Sequence, residues 1–289
     1  MTEATRISAS GPTAGLDIEA APDGTIFRHP DRVTPKKRPL AALMAFRKLI
    51  ADKEDTSQVF KIFESLPSRG FVPSARAFTL SEQGLAIRES EGDLVALLDD
   101  HETLRQMPEG SVAHAYCDFM EREGLSAQGL VDEQEKNLAG RARYDDLIAW
   151  YMTRRRDTHD LLHVLTGYGR DALGEQCVLA FTYGQNGGLG NLFIAYLGAL
   201  HIARIQKTQT DIKAPVLSAV RQAQRHGDGA PCIAEMSIRD LLARQLDEVR
   251  AQMGIGEPTA YLECHRTWRA SGIDPYHLVE PKKAQMQPA

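Results

Sequence analysis

His159-Asp160-Leu161-Leu162-His163-Val164-Leu165-Thr166-Gly167-Tyr168-Gly169, running on through Asp171 to Gly174-Glu175, reads as a helix, a glycine turn and a second helix. His159 and His163 stand i, i+4, so on a helix both imidazoles leave one face a turn apart and can converge on a single ion. Asp160 sits one step around that face. Gly167 and Gly169 stop the first helix, and Asp171 is placed to cap a second one that carries Glu175. On one unbroken helix Glu175 would lie far along the axis, whereas a turn can fold its carboxylate back toward the histidines. The sequence therefore nominates His159, Asp160, His163 and Glu175 as metal ligands, with Glu175 and Asp160 as the groups able to move a proton. Imidazole nitrogen with carboxylate oxygen suits zinc and would also accept iron, manganese or magnesium. The same His pair with a nearby Asp also arises on a solvated helix face that holds no ion.

The segments around this stretch are helical in pattern, so the fold is expected to be mainly α: one helical domain over 39–258. It is flanked by a disordered, basic, Pro-containing tail over 1–38 and an irregular extension over 259–289. Leu40, Leu43, Met44 and Arg47 share one face of a helix that begins at Pro39, and Val59, Ile62, Phe63 and Leu66 follow a capping box at Asp55 and Gln58. Pro67, Gly70 and Pro73 mark a loop. Val112, Tyr116, Phe119 and Met120 fall on one face of a helix closed by Gly124, and Tyr144, Leu147, Ile148 and Tyr151 trace another toward the His pair. Arg154, Arg155 and Arg156 read most simply as a solvated face, though arginines near a metal cleft could grip a carboxylate or phosphate. From Cys177 to Ile205 two apolar segments flank a polar, Gly-rich turn. They suit a buried helix pair whose small residues allow close approach or leave room for a long apolar ligand. Val216, Ala219, Val220 and Ala223 give a further helix, and the apolar positions from Ile233 to Met253 read as one longer one.

Composition narrows the function. With 289 residues and 43% hydrophobic content, a sizeable core is within reach, and a formal charge of −5 argues against a general affinity for nucleic acid, leaving any basic surface local. Cys117, Cys177, Cys232 and Cys264 form no C-x-x-C pair, which argues against a disulfide framework or a thiolate zinc site and fits a reducing cytoplasm. Residues 1–23 lack an apolar core and carry Glu3, Asp17, Glu19 and Asp23, so they resemble neither a secretory signal nor a transit peptide. Arg28, Arg32, Lys36, Lys37 and Arg38 form a basic arm that is either a solvated linker or a contact for anionic lipid.

Taken together, the stretch from Asp157 to Gly169 with Gly174-Glu175 resembles the signature of the ubiquinone (coenzyme Q) biosynthesis family, H-D-x-x-H-x11-E, in a bacterial member. Pro108-Glu109-Gly110-Ser111 with Ala115-Tyr116 is similar to that family's second recurring stretch, Asp55-Thr56 to its N-terminal region and Met253-Gly254-Ile255 to its closing helix. The resemblance covers about 39–258. It implies an all-α protein that acts on a polyprenylated benzoquinone precursor at a membrane surface, with a divalent metal, usually zinc, at His159, Asp160, His163 and Glu175.

The implied activity is that of a carbon–carbon lyase: removal of the C1 carboxylate from a polyprenyl hydroxybenzoate, with or without hydroxylation at that carbon. Other ubiquinone-biosynthesis enzymes are implied as partners, and a homo-oligomer is expected, placed in the cytoplasm and peripheral on the inner face of a bacterial membrane. Two rival readings are a non-catalytic lipid-binding scaffold that organises those enzymes and, by loose analogy with H-E-x-x-H enzymes, a metallohydrolase.

Overall fold

The computed structural model describes residues 6–7, 19–52, 55, 57–138, 140–211 and 213–279. Among them the mainly α expectation holds. Among the described residues the only strands are the two-residue parallel pair β1 (Arg6–Ile7) and β2 (Arg143–Tyr144), and none of the described helices is long and apolar enough to cross a membrane. The helices are α1 (Pro39–Ala51), α2 (Ser57–Ser65), α3 (Phe71–Thr79), α4 (Glu82–Ser90), α5 (Leu94–Asp99), α6 (His101–Leu104), α7 (Val112–Glu123), α8 (Ala127–Leu138) and α9 (Leu147–Asp157). Then come α10 (His159–Thr166), α11 (Ala172–Asn186), α12 (Leu189–Gln209), α13 (Val216–Gly229), α14 (Ile238–Leu242), α15 (Leu246–Gln252) and α16 (Thr259–Ala270). Two compact units divide this helical chain: Met1–Asp160 with Cys232–Gln245, and Leu161–Pro231 with Leu246–Ala289.

In the first unit Phe78, Ile87, Leu147, Ile148 and Tyr151 form a core that also takes in Ala21 and Phe27. The stretch 19–38, expected as part of a disordered tail, is therefore docked from Glu19 onward. The backbone N–H groups of Leu147 and Ile148 donate to Ile26 and Phe27, and the Arg32 guanidinium makes two bonds, of 2.7 and 2.6 Å, to the buried Asp146 carboxylate. Asp146 also caps α9 by accepting from the Ala149 N–H. One apolar pair and one arginine are too short a signal for periodicity to register; most of the remainder of the tail, 1–5 and 8–18, lies outside the described residues. The expected loop at Pro73 is likewise helical. Pro73 falls in the first turn of α3, where a missing N–H costs little.

Arg154 is not on a solvated face. It is buried, pairs with Glu91 at 2.8 Å and donates to the carbonyls of Ala234 and Met236. That claim on two carbonyls helps explain why the single long helix expected from Ile233 to Met253 is broken into a 3-10 turn, α14 and α15. Ser237 caps α14 and shares its hydroxyl with Glu91.

The second unit is organised by α11 packing on α12 and α13. A Cβ on Gly227 would lie 2.1 Å from the Phe181 carbonyl oxygen, and one on Gly184 would lie 2.5 Å from both the Asp228 nitrogen and the Gln224 carbonyl oxygen. The small residues are thus used for backbone contact between α11 and α13. The expected irregular extension contains α16, which buries Tyr261, Cys264, His265 and Trp268 at helical spacing; the Trp268 indole N–H donates to Gln206 at 3.0 Å. Polar His and Cys within that stripe mask its period. Residues 280–289 of the extension lie outside the described residues.

Gly227→Ala is expected to lower unfolding stability by about 1–3 kcal/mol, read as a shifted urea midpoint with an unchanged slope. A second test uses pH. Burial alone would raise the Glu91 carboxyl, but bonds from the Arg239 N–H, the Arg154 guanidinium and the Ser237 hydroxyl outweigh burial and hold it below its ordinary value of 4.5. Such a group contributes stability above its unfolded pKa and loses it as pH falls through the folded value. Glu91→Gln should therefore flatten the loss of stability below pH 4.5 and, by stranding the Arg154 charge, cost about 3–5 kcal/mol at neutral pH.

Candidate metal centre

α10 forms because Leu161, Leu162, Val164 and Leu165 are buried along it, and Thr158 marks its start by bonding its hydroxyl back to the Arg154 carbonyl at 3.0 Å. On this helix His159, Asp160 and His163 each offer a donor atom within 4.8 Å of the others. His159 is partly exposed, whereas Asp160 is 9% and His163 2% accessible. The His163 Nδ1 lies 3.0 Å from the Tyr168 carbonyl oxygen. In the tautomer that donates there, Nε2 carries the lone pair. Outer bonds of this kind fix the ring of a metal-binding histidine.

The turn brings the Glu175 Oε1 to within 3.6 Å of that Nε2, and the Arg170 Nε lies 3.8 Å from the same Glu175 oxygen. Gly167 takes φ +74 and its N–H closes α10 on the His163 carbonyl, a left-handed cap that favours glycine. From α15, Arg250 donates to the carbonyls of Leu165 and Val164 at 3.0 and 2.9 Å, satisfying acceptors that the helix end leaves open. A Cβ on Gly174 would sit 1.9 Å from the Gly169 carbonyl oxygen, so only glycine lets the first turn of α11 lie this close to the chain that precedes it. Asp171 caps α11 by accepting from the N–H groups of Leu173 and Gly174, as its position in the sequence predicts.

Two side chains of α16 brace that cap. The Tyr261 hydroxyl donates to the Asp171 carboxylate and accepts from the Gly169 N–H at 3.0 Å, and the His265 Nε2 lies 3.2 Å from the same carboxylate. Burial first, then the Asp171 charge, pushes the Tyr261 hydroxyl far above its ordinary value, so it stays protonated and able to donate. Sequence reasoning missed Tyr261, Arg250 and Arg170, and it set aside His265, which with adjacent Cys264 offers a ligand pair whose side chains diverge. The i, i+4 spacing of Tyr261 and His265 was the available signal, but nothing local ties them to Asp171.

Tyr116 on α7 lies in the field of Asp160. Its hydroxyl is buried with no hydrogen-bond partner among the described residues, and burial followed by the Asp160 charge raises it well above the usual phenol range. Ligands at about 2.1 Å from a tetrahedral ion lie about 3.4 Å apart. The 3.6 Å separation of His163 and Glu175 is close to that, and the three α10 donors need a modest inward adjustment. His159, Asp160 and His163 are the donors grouped closely enough to hold a divalent cation of the zinc or first-row type; Glu175 lies beside His163 and falls outside that group of three.

A buried imidazole, a carboxylate returned to it by a glycine turn and an all-helical frame define a class of helical protein with a histidine–carboxylate donor set. The profile of the family described as coenzyme Q (ubiquinone) biosynthesis protein Coq4 matches residues 82–259, more than half of the chain, and the chain belongs to that family. It is 24% identical over 255 residues to the mitochondrial ubiquinone biosynthesis protein COQ4 homolog of Bos taurus, covering 88% of this chain and 92% of that one. The corresponding protein of Leishmania infantum is 32% identical over 120 residues, 41% of this chain and 64% of that one. A solved structure from Nostoc punctiforme, described as a ubiquinone biosynthesis protein, covers 77% of this chain and all of its own at a TM-score of 0.49 and 17% identity, too low to add to the assignment.

Gly174→Ala should weaken zinc binding by about 10–100-fold in competition with a chromophoric chelator, because the added methyl forces the turn apart and carries Glu175 away from His163. Unchanged affinity in a folded variant would separate the turn from the donor set.

Proposed function

We propose that this member of the ubiquinone-biosynthesis family removes the C1 carboxylate of a polyprenyl hydroxybenzoate at the donor set of His159, Asp160, His163 and Glu175. The observation that carries the reading is the placement of Glu175 Oε1 3.6 Å from a buried His163 whose other ring nitrogen faces the Tyr168 carbonyl. Those four residues would hold a divalent cation, zinc foremost, which when bound supplies Lewis-acid stabilisation of the charge that builds as carbon dioxide leaves. In that reaction the bond from C1 to the carboxyl carbon breaks, its electron pair stays on C1, and a proton takes the vacant position. Glu175, partly exposed and beside Arg170, is the group suited to deliver that proton, with Asp160 as the other carboxylate within the set. Burial of His163 and Asp160 keeps water from the inner side of the site and strengthens each charge interaction there.

The polyprenyl tail would lie along the apolar segments after Glu175. On α12, Leu192, Phe193 and Leu197 are partly exposed and Leu200 is exposed, a face able to take an apolar chain and anchor the ring by binding energy remote from the reaction. The chain works as a peripheral protein on the inner face of a bacterial membrane, as a homo-oligomer alongside other enzymes of ubiquinone synthesis. Four cysteines, all free and three of them buried, suit the reducing cytoplasm this requires.

His163→Ala is expected to lower turnover of a polyprenyl hydroxybenzoate at least about a hundredfold in protein whose helical circular-dichroism signal shows it still folded, although loss of a buried ring lowers its unfolding midpoint; carbon dioxide release with and without oxygen reads both forms of the reaction. A wild-type protein loaded with metal that binds this compound and leaves it unchanged in either atmosphere would contradict the enzyme reading and favour a scaffold. Release of phosphate or cleaved peptide from model substrates would favour a metallohydrolase.

A further inference from the structure

α1 turns its small residues inward and its large apolar residues outward. Ala42, Ala45 and Phe46 are buried, while Leu40 is 76%, Met44 63%, Ile50 42% and Leu43 38% exposed. Leu40, Leu43 and Met44 are three and four residues apart, so they form one stripe, on the side of the helix away from Ala42 and Ala45. The helix packs on α2 through the buried side. A helix whose only task was to cover α2 would carry polar side chains on its outer face. An outer face of large apolar residues with basic ones around it is the pattern of a helix that lies in a membrane interface.

Charge supports the same occupant. Lys36, Lys37, Arg38, Arg47 and Lys48 are all exposed, within or just before α1, and between Arg28 and Lys48 the sole acidic residue is Asp31, in a chain whose net charge is −5. Val33, 81% exposed, extends the apolar surface into this arm. We infer that the outward face of α1, together with the basic arm that leads into it, seats on an anionic lipid bilayer, its apolar stripe entering the acyl boundary and its lysines and arginines meeting lipid phosphate. A second copy of the chain fits less well. A two-fold contact would set this ring of positive charge against itself, whereas anionic lipid meets it with opposite charge, at about 1 kcal/mol for each basic residue near the surface. The inference deepens the peripheral-membrane part of the proposed function and is independent of the decarboxylation part.

Flotation of the full chain with vesicles of phosphatidylglycerol and phosphatidylcholine tests it. The chain should bind the mixed vesicles and not pure phosphatidylcholine, and added salt should weaken binding by screening. Leu40→Gln with Met44→Gln should lower the partition coefficient about tenfold or more, equivalent to about 1.4 kcal/mol. Lys36→Gln with Lys37→Gln should lower it by a similar factor and reduce the salt dependence. All four positions are exposed, so unchanged unfolding midpoints confirm that the variants remain folded. Absence of wild-type binding, or equal binding by the Leu40/Met44 variant, would overturn the inference. So would a wild-type dimer in sedimentation that this variant converts to monomer while neither floats, since the face would then belong to a second copy. Flotation without decarboxylation leaves this inference standing and removes the catalytic reading.

Discussion

One backbone contact, the approach of Gly174 to the Gly169 carbonyl, sets the turn on which the position of Glu175 depends. A carboxylate eleven intervening residues beyond an imidazole can return to it only if the chain doubles back within those residues. Here it does so in the short interval between α10 and α11. Side-chain volume at position 174 would occupy space that the turn requires, and the left-handed φ of Gly167 releases the chain from α10 in the needed direction. The rest of the local structure serves that approach. Asp171 holds the start of α11, Tyr261 ties the Asp171 carboxylate to the Gly169 N–H, and Arg250 closes the far end of α10.

Each unit handles buried polarity by the same physical rule, that a charge removed from water must be paired and hydrogen-bonded. In the first unit the Glu91 and Arg154 pair is satisfied by two carbonyls, a hydroxyl and an N–H, and Asp146 joins Arg32 to the start of α9. In the second, Asp171 accepts from two helix N–H groups and a phenol, with the His265 imidazole 3.2 Å away. These networks fix chain segments that periodic packing alone would leave loose, such as residues 26–32 and the interval from Gly167 to Asp171. The Tyr116 and Tyr168 hydroxyls depart from the rule: both are buried with no hydrogen-bond partner among the described residues, and Tyr116 also lies in the field of Asp160.

Much of this was legible in the sequence. The i, i+4 histidines, the Gly-x-Gly turn, the Asp171 cap and the helical character of the chain all follow from local rules of spacing and capping. What sequence reasoning missed was set by partners far along the chain. Tyr261 and His265 reach Asp171 from ninety or more residues away; the i, i+3, i+4, i+7 pattern of α16 that carries them was present but diluted by His and Cys. Phe27 and Arg32 read from sequence as tail because isolated anchors in a polar stretch show no period. Arg154 reads from sequence as a solvated charge because its partner Glu91 and its two carbonyl acceptors lie 63 to 82 residues away. On α1 the spacing of Leu40, Leu43 and Met44 identified a common face correctly, but spacing cannot say whether such a face meets protein or the outside, and here Ala42 and Ala45 take the inner side.

X-ray absorption at the zinc edge of the full chain loaded with one equivalent of metal tests the central claim most directly. The account predicts a first shell of nitrogen and oxygen with the outer-shell signature of two imidazoles and no sulfur, and the loss of one oxygen on Glu175→Gln. Sulfur in the first shell, a shell without imidazole, or a spectrum indifferent to Glu175 would contradict it.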